Sequence, residues 1–191
     1  MVVAVAKPLV PYRITVCGLA ELCEHAAEGV SHVLTIVDPG FPDPDDFREY
    51  GPHRRTVWRF HDIVHDGKDV VAPGIDDIAA ILAFGDRSRI DAVEHLLIHC
   101  HLGISRSTAA AAILLTQHSP GREDEAFTHL RTIRPQSWPN SRMIALADTL
   151  LDRDGALVAA MRRHHLHVAR HHPWLAAILR ESGRAAEVPD V

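Results

Sequence analysis

Residues 96–115 read LLIHCHLGISRSTAAAAILL, with Leu96 first and Leu115 last. A short apolar run ends in His99 and Cys100, and an alanine-rich apolar segment begins after Arg106. These two runs predict a buried strand and a buried helix, joined by a tight loop. Successive backbone N–H groups of such a loop point into one concavity above the positive end of the helix dipole. We therefore expect the loop to bind an oxyanion.

The residue types of this loop suit nucleophilic chemistry on a phosphoryl group. Cys100 lies near a helix N-terminus and a cation, where a thiol readily becomes a nucleophilic thiolate. Arg106 offers a planar fork of donors that can hold two phosphate oxygens at once. Ser107 places a hydroxyl where it can hydrogen-bond the sulfur and stabilise it as a leaving group. Gly103 turns the backbone tightly and keeps a Cβ atom away from the ligand. We expect His99 to face away from the pocket and to hold the backbone by a hydrogen bond. The predicted phosphate-binding residues are His101, Leu102, Gly103, Ile104, Ser105 and Arg106.

This loop resembles the phosphate-binding loop of the cysteine-dependent protein tyrosine phosphatases, through the pattern His99-Cys100-x-x-Gly103-x-Ser105-Arg106-Ser107. The Ser-Arg-Ser ending and the alanine-rich segment are most similar to the dual-specificity branch, in its bacterial type. Leu102 departs from the family pattern, which has a small or polar residue there. The resemblance implies hydrolysis of a phosphate monoester through a cysteinyl-phosphate intermediate, with no metal or organic cofactor. Its substrates would be phosphorylated proteins or small phosphoesters.

The resemblance also implies a general acid upstream of the loop. In these phosphatases it is an aspartate on a loop that follows a strand. Asp62 stands in that position, after the predicted strand Arg55–Phe60, and is our favoured acid. Asp66 lies in the same loop and is the alternative. Downstream, the run Arg134-Pro135-x-x-x-Pro139-Asn140 resembles a connection that the family places beside the active site, which gives Asn140 a supporting role.

The order of the apolar patterns predicts an α/β fold. Strands are predicted at Arg13–Cys17, His32–Val37, Arg55–Phe60 and Leu96–His99, alternating with helical patterns. After Cys100 the patterns are all helical. This order predicts a mainly parallel sheet with helices on both faces and an all-helical C-terminal half. We expect one domain over residues 1–191, with a core at about 12–152, a helical extension over 153–191 and a loose tail from Ser182 to Val191.

Composition excludes several classes of protein. The net charge of −5 argues against nucleic-acid binding. Three cysteines do not form a disulfide framework and are typical of a reducing cytoplasm. The N-terminal residues, Met1 to Pro8, lack the pattern of a signal peptide, and no apolar stretch is long enough to span a membrane. We therefore expect a cytoplasmic protein without membrane or nucleic-acid partners.

Four alternatives stay open at this point. His164, His167 and His171 have helical spacing and could hold a transition metal, although a basic, solvated helix face explains them with fewer assumptions, so no metal site is predicted. A rhodanese-like sulfurtransferase uses a similar cysteine loop but needs neither Asp62 nor Asn140. A catalytically silent phosphoprotein-binding module would keep the cradle without turnover. If His101 carries a charge, it would favour highly phosphorylated ligands such as inositides.

Overall fold

The computed structural model of the chain describes residues 7–88 and 90–190. Its sheet has four parallel strands in the order β1-β4-β2-β3. These strands are β1 (Arg13–Cys17), β2 (His32–Val37), β3 (Arg54–Arg59) and β4 (His95–His99). The predicted strands agree with them to within one residue at each end. Because β4 lies between β1 and β2, Cys100 emerges from the middle of the carboxyl edge, where open α/β sheets bind ligands.

The helices follow the predicted alternation. They are α1 (Ile75–Arg87), α2 (Arg106–His118), α3 (Glu123–Ile133), α4 (Ser141–Leu150), α5 (Ala156–His171) and α6 (Pro173–Leu179). Two 3-10 helices, Leu19–His25 and Asp45–Glu49, come after β1 and β2. The α/β fold class and the all-helical C-terminal half are therefore confirmed. The sequence analysis missed α6.

The two faces of the sheet are covered differently. On one face, Val16, Leu34 and Ile98 pack against α2, whose residues from Arg106 to Thr116 are all buried. Four consecutive alanines in this helix carry so little side chain that the helix can lie close to the strands. On the other face, Val33 and Leu97 pack with residues of the two 3-10 helices, so helices cover both faces but α-helices only one of them.

The expected loose tail is wrong for residues 182–190. The chain forms α6, an irregular helical turn at Arg180–Arg184 that breaks at Ser182 and Gly183, and a 3-10 helix at Ala185–Glu187. Trp138, Val168, Leu175, Leu179 and Val188 form a separate apolar cluster that holds this segment in place. The pattern was hard to read because α6 is short and the following turn has no apolar repeat.

The solvated face expected for the histidine-rich run is also wrong in part. His164 and His165 are buried, at 1% and 2% exposure. The His164 ring contacts Ser137, with Nε2 at 3.1 Å from the hydroxyl, and His165 stacks on Trp138 at 4.1 Å. His167 and His171 stack on each other at 4.0 Å. Within residues 7–88 and 90–190, no group of three or more His, Cys, Asp or Glu side chains is arranged to hold a metal ion.

Among the described residues, no helix combines the length and apolarity needed to cross a membrane. The signal-peptide expectation falls mainly on residues 1–6, which lie outside the described ranges.

Candidate active site

The loop between β4 and α2 is held by close backbone packing. Gly103 has φ of +68°, and a Cβ atom there would lie 2.5 Å from the Cys17 carbonyl carbon and 2.6 Å from the Gly18 nitrogen. A Cβ on Gly18 would in turn lie 2.9 Å from the Leu102 carbonyl carbon. The φ of Gly103 agrees with the expected tight turn, but the reason for its missing side chain is corrected. Its missing side chain makes room for the end of β1, because the two backbones touch there.

Cys100 begins the loop in a buried position, 2% exposed. Its Sγ atom lies 3.2 Å from the Ser107 hydroxyl, at the first turn of α2, as the sequence predicted. His99 points to the opposite face, where its Nε2 atom lies 2.8 Å from the Thr35 hydroxyl on β2. Burial lowers the pKa of His99 to about 4, against a smaller opposing effect of the Cys100 backbone, so this ring is neutral. The His99 ring thus interacts with the Cys100 backbone, as expected, and also with the Thr35 side chain, which was not expected.

Arg106 is 3% exposed and is held from β2 and β3. Its Nη1 atom donates to Asp38 Oδ1 and to the Phe60 carbonyl oxygen, each at 2.6 Å. Its Nε atom is buried and has no hydrogen-bond partner within the described ranges. Buried donors of this kind are normally satisfied, so an oxyanion bound in the loop is a fitting acceptor. Asp38 was missed by the sequence analysis because its partner is distant in the chain.

The two candidate acids have different surroundings. Asp62 lines the pocket, and its Oδ1 atom accepts from Ser105 Oγ at 2.6 Å and from Asn140 Nδ2 at 2.9 Å. Asp66 has a side chain that is 84% exposed, pairs with Arg142 at 2.9 Å and does not line the pocket. Geometry therefore favours Asp62 as the group beside Cys100.

Asn140 is fully buried and has two roles. Its Oδ1 atom caps α4 by accepting from the Met143 backbone N–H at 3.1 Å. Its Nδ2 atom donates to Asp62 and also to the Ile63 carbonyl oxygen at 3.2 Å. The position of the candidate acid thus depends on the start of α4.

The outer side of the loop is fastened by the connection from α3 to α4. Arg134 donates to the carbonyl oxygens of Leu102 and Gly103, both at 3.0 Å. Glu21 accepts from Arg134 Nη1 at 2.7 Å, and this hydrogen bond lowers the pKa of Glu21. The Trp138 backbone N–H donates to the Ile104 carbonyl oxygen at 2.7 Å. These bonds engage the carbonyl oxygens of Leu102, Gly103 and Ile104 on the outer side of the loop.

His101 and Leu102 are on the rim of the pocket. The His101 Nε2 atom accepts from the Asp38 backbone N–H at 3.3 Å, and its ring contacts the Phe41 ring in a tilted arrangement with the centroids 4.6 Å apart. Burial, together with the charge of Arg106, lowers the pKa of His101. His101 is therefore poorly suited to provide a second positive charge at the pocket, which was one of the alternatives drawn from the sequence. Leu102 is 70% exposed, so it forms a wall of the pocket entrance and not its floor.

The cavity over Cys100 has a volume of about 550 Å³. Besides the loop, it is lined by residues of the C-terminal segment that the sequence analysis missed: Trp174, Leu175, Ile178, Leu179, Ser182 and Arg184. The apolar spacing within α6 could have indicated a helix, but no local signal assigns Arg184 to the site. A larger cavity of about 750 Å³ between residues 7–14 and α3 contains none of the candidate catalytic residues.

Comparison with known proteins gives structural matches only. No family model and no curated protein matches the sequence. Human DUSP28 aligns over 78% of this chain and 97% of its own, at 16% identity and a TM-score of 0.57. A human tyrosine phosphatase-like serine/threonine/tyrosine-interacting protein aligns over 78% and 96%, at 18% identity and a TM-score of 0.57. Tk-PTP in its active form aligns over 74% and 92%, at 20% identity and a TM-score of 0.51. The chain therefore has the fold of the tyrosine phosphatases, in the form found in the dual-specificity phosphatases.

Proposed function

We propose that the protein hydrolyses phosphate monoesters through a cysteinyl-phosphate intermediate. The observation that carries this proposal is the convergence of Cys100, Arg106 and Asp62 on one cavity. Cys100 and Arg106 come from the β4–α2 loop and the start of α2, whereas Asp62 comes from the segment after β3, which is distant from them in the chain. A nucleophile, a phosphate-binding cation and a proton donor are the groups that this reaction requires.

In the first step, the Cys100 thiolate attacks phosphorus and forms an S–P bond. The bond from phosphorus to the ester oxygen breaks, and its electron pair stays on the leaving oxygen, which takes a proton from Asp62. Arg106 and the N–H groups of residues 101–106 hold the three remaining oxygens. Their positive charge stabilises the transferring phosphoryl group.

In the second step, water attacks the cysteinyl-phosphate and Asp62 accepts its proton. The S–P bond breaks with its electron pair on the sulfur, which restores the Cys100 thiolate and releases inorganic phosphate. Ser107, 3.2 Å from the sulfur, donates a hydrogen bond to the thiolate as it forms. Asn140 holds Asp62 through both steps.

The substrate in this proposal is a phosphorylated protein side chain or a related small phosphoester. Because Cys100 must stay reduced, the proposal places the protein in a reducing compartment such as the cytoplasm.

The test is hydrolysis of para-nitrophenyl phosphate against pH. We expect Cys100→Ser to be inactive, and Cys23→Ser, which changes an exposed cysteine, to match the native protein. Asp62→Asn is expected to lower kcat by about 10²-fold and to remove the basic limb of the profile, whereas Asp66→Asn should change neither. A native protein that binds vanadate without turnover would instead support the phosphoprotein-binding module.

A further inference from the structure

The C-terminal segment brings a second guanidinium into the cavity over Cys100. Arg184 is 8% exposed, and its Nη1 atom donates to Ser105 Oγ at 2.8 Å. The same Nη1 atom lies 3.5 Å from each carboxylate oxygen of Asp62. Since Ser105 Oγ donates onward to Asp62 at 2.6 Å, the guanidinium, the hydroxyl and the carboxylate form one chain of charge-assisted hydrogen bonds.

The side chain of Arg184 is itself held in place by a buried carboxylate. Its Nε atom donates to Glu187 Oε2 at 2.5 Å, and the Glu187 side chain is only 3% exposed. Glu187 Oε1 accepts from the Ser141 backbone N–H at 2.9 Å, directly after Asn140. Two of the three groups that contact Asp62, Asn140 and Arg184, are therefore tied to the start of α4.

The two carboxylate oxygens of Asp62 have different hydrogen-bond partners. Within the described ranges, the short bonds from Ser105 and Asn140 go to Oδ1, whereas Oδ2 has only the 3.5 Å contact with Arg184. This leaves Oδ2 as the oxygen able to exchange a proton with the substrate. We propose that Arg184 is a positioning residue that, together with Ser105, fixes this orientation of Asp62. The inference rests on the proposed function, because it concerns the candidate acid of that reaction.

A positioning role for Arg184 has a specific kinetic signature. Protonation by Asp62 matters most when the leaving oxygen is strongly basic, since such an oxygen cannot leave as an anion. Misplacing Asp62 should therefore slow phenyl phosphate more than an aryl phosphate with several electron-withdrawing substituents. A loss of structure without a role in proton transfer would slow both substrates equally.

The experiment compares kcat/KM for these two substrates in Arg184→Met and Arg184→Lys of the full-length chain, because kcat/KM reports the transfer to Cys100 and not the later hydrolysis that both esters share. For Arg184→Met we expect about a tenfold loss with phenyl phosphate and less than about threefold with the activated ester. Arg184→Lys keeps the positive charge but not the planar fork of donors, so the preference between the two substrates should change although the charge is retained. The matched control is Arg180→Met, which alters an exposed arginine of the same segment.

Combining the changes tests whether Arg184 acts through Asp62. In an Asp62→Asn background, Arg184→Met should cause no further loss with phenyl phosphate, because the group that it orients is already absent. Three outcomes would each overturn the inference while leaving the proposed function intact. They are equal losses with both esters, additive losses in the double variant, and native rates in Arg184→Met. If Arg184→Met does not fold, the Arg184→Lys comparison decides alone. A native protein without turnover would overturn the proposed function and this inference together.

Discussion

At the scale of single residues, three arginines and their carboxylate partners hold the site. Arg106 pairs with Asp38, Arg134 with Glu21 and Arg184 with Glu187. All three arginine side chains are at most 13% exposed. A buried charge is tolerated when it is paired and hydrogen-bonded, so each pair fixes the position of its arginine. Truncating the carboxylate would leave the arginine charge buried without its partner, which makes these positions sensitive to substitution.

Gly103→Ala should destabilise the protein and abolish turnover. The alanine would be strained at φ of +68°, and its Cβ would lie 2.5 Å from backbone that cannot move alone. We expect a loss of about 3 kcal/mol or more in the free energy of unfolding, measured with urea. Gly29→Ala is the matched control, because Gly29 has the same φ of +68° with nothing within 4 Å. It should lose only about 1 kcal/mol. Equal losses in the two variants would contradict the packing explanation.

Two substitutions of Asn140 should separate its effect on stability from its effect on turnover. Both Asn140→Ser and Asn140→Ala remove the donor to Asp62, so we expect each to lower kcat by about tenfold. Serine still caps α4, whereas alanine loses the bond to Met143 and about a further 1 kcal/mol of unfolding free energy. Steady-state kinetics and urea unfolding of the pair measure the two effects. A native kcat in Asn140→Ser would refute a role in holding the acid.

At the scale of elements, α6 forms an apolar wall beside the phosphate-binding loop. Trp174 and Ile178 are 52% and 53% exposed although they line the cavity, and Leu102 faces it from the loop. Exposed apolar side chains gathered at one cavity commonly mark a ligand contact. The phosphate end of the cavity is polar and the α6 side is apolar, so α6 is placed to contact the alcohol portion of a substrate.

Trp174→Ala should therefore weaken binding of bulky esters. We expect KM for naphthyl phosphate to rise by about tenfold, since about 1.4 kcal/mol of aromatic contact is lost, with little change in kcat. KM for glycerol phosphate should stay nearly constant because its alcohol is small and polar. Ile90→Ala, at an exposed apolar residue outside the cavity, is the control. An equal rise for both substrates would argue against a contact with the alcohol portion.

At the scale of the whole molecule, the C-terminal segment is joined to the site through two buried histidines. Burial lowers the pKa of His164 and that of His165 to about 3. His165 stacks on Trp138 and lies 3.1 Å from the Pro139 carbonyl oxygen, with Arg184 and Glu187 also acting on its ring. Both rings are neutral in the folded protein at neutral pH, and protonating them would place charge inside the apolar cluster.

This burial predicts a loss of stability in acid. Each histidine has a lower pKa folded than unfolded, so below about pH 6.5 the unfolded chain binds more protons. The free energy of unfolding should fall by about 1.4 kcal/mol per pH unit for each buried histidine, from about pH 6.5 towards the folded value near 3. The variant His165→Phe preserves stacking on Trp138 but loses one buried histidine. Its slope should therefore be shallower by about 1.4 kcal/mol per pH unit. The control is His129→Gln, which changes an exposed histidine and should keep the native slope. Urea unfolding of the native protein and both variants between pH 7 and 4.5 measures the slopes. An unchanged slope in His165→Phe would contradict a neutral buried ring.

The sequence by itself determined the strands, the helices up to α5, the loop from Cys100 to Arg106 and the hydroxyl of Ser107 beside the sulfur. Each of these depends on apolar periodicity or on neighbours a few residues away, which a sequence displays directly. Only the tertiary structure placed Asp62, and not Asp66, at the cavity, paired Arg106 with Asp38 and packed Gly103 against the end of β1. It alone brought Arg184 to Ser105, 79 residues distant in the chain. These features arise from contacts between segments far apart in sequence, and no local pattern encodes which segments will meet.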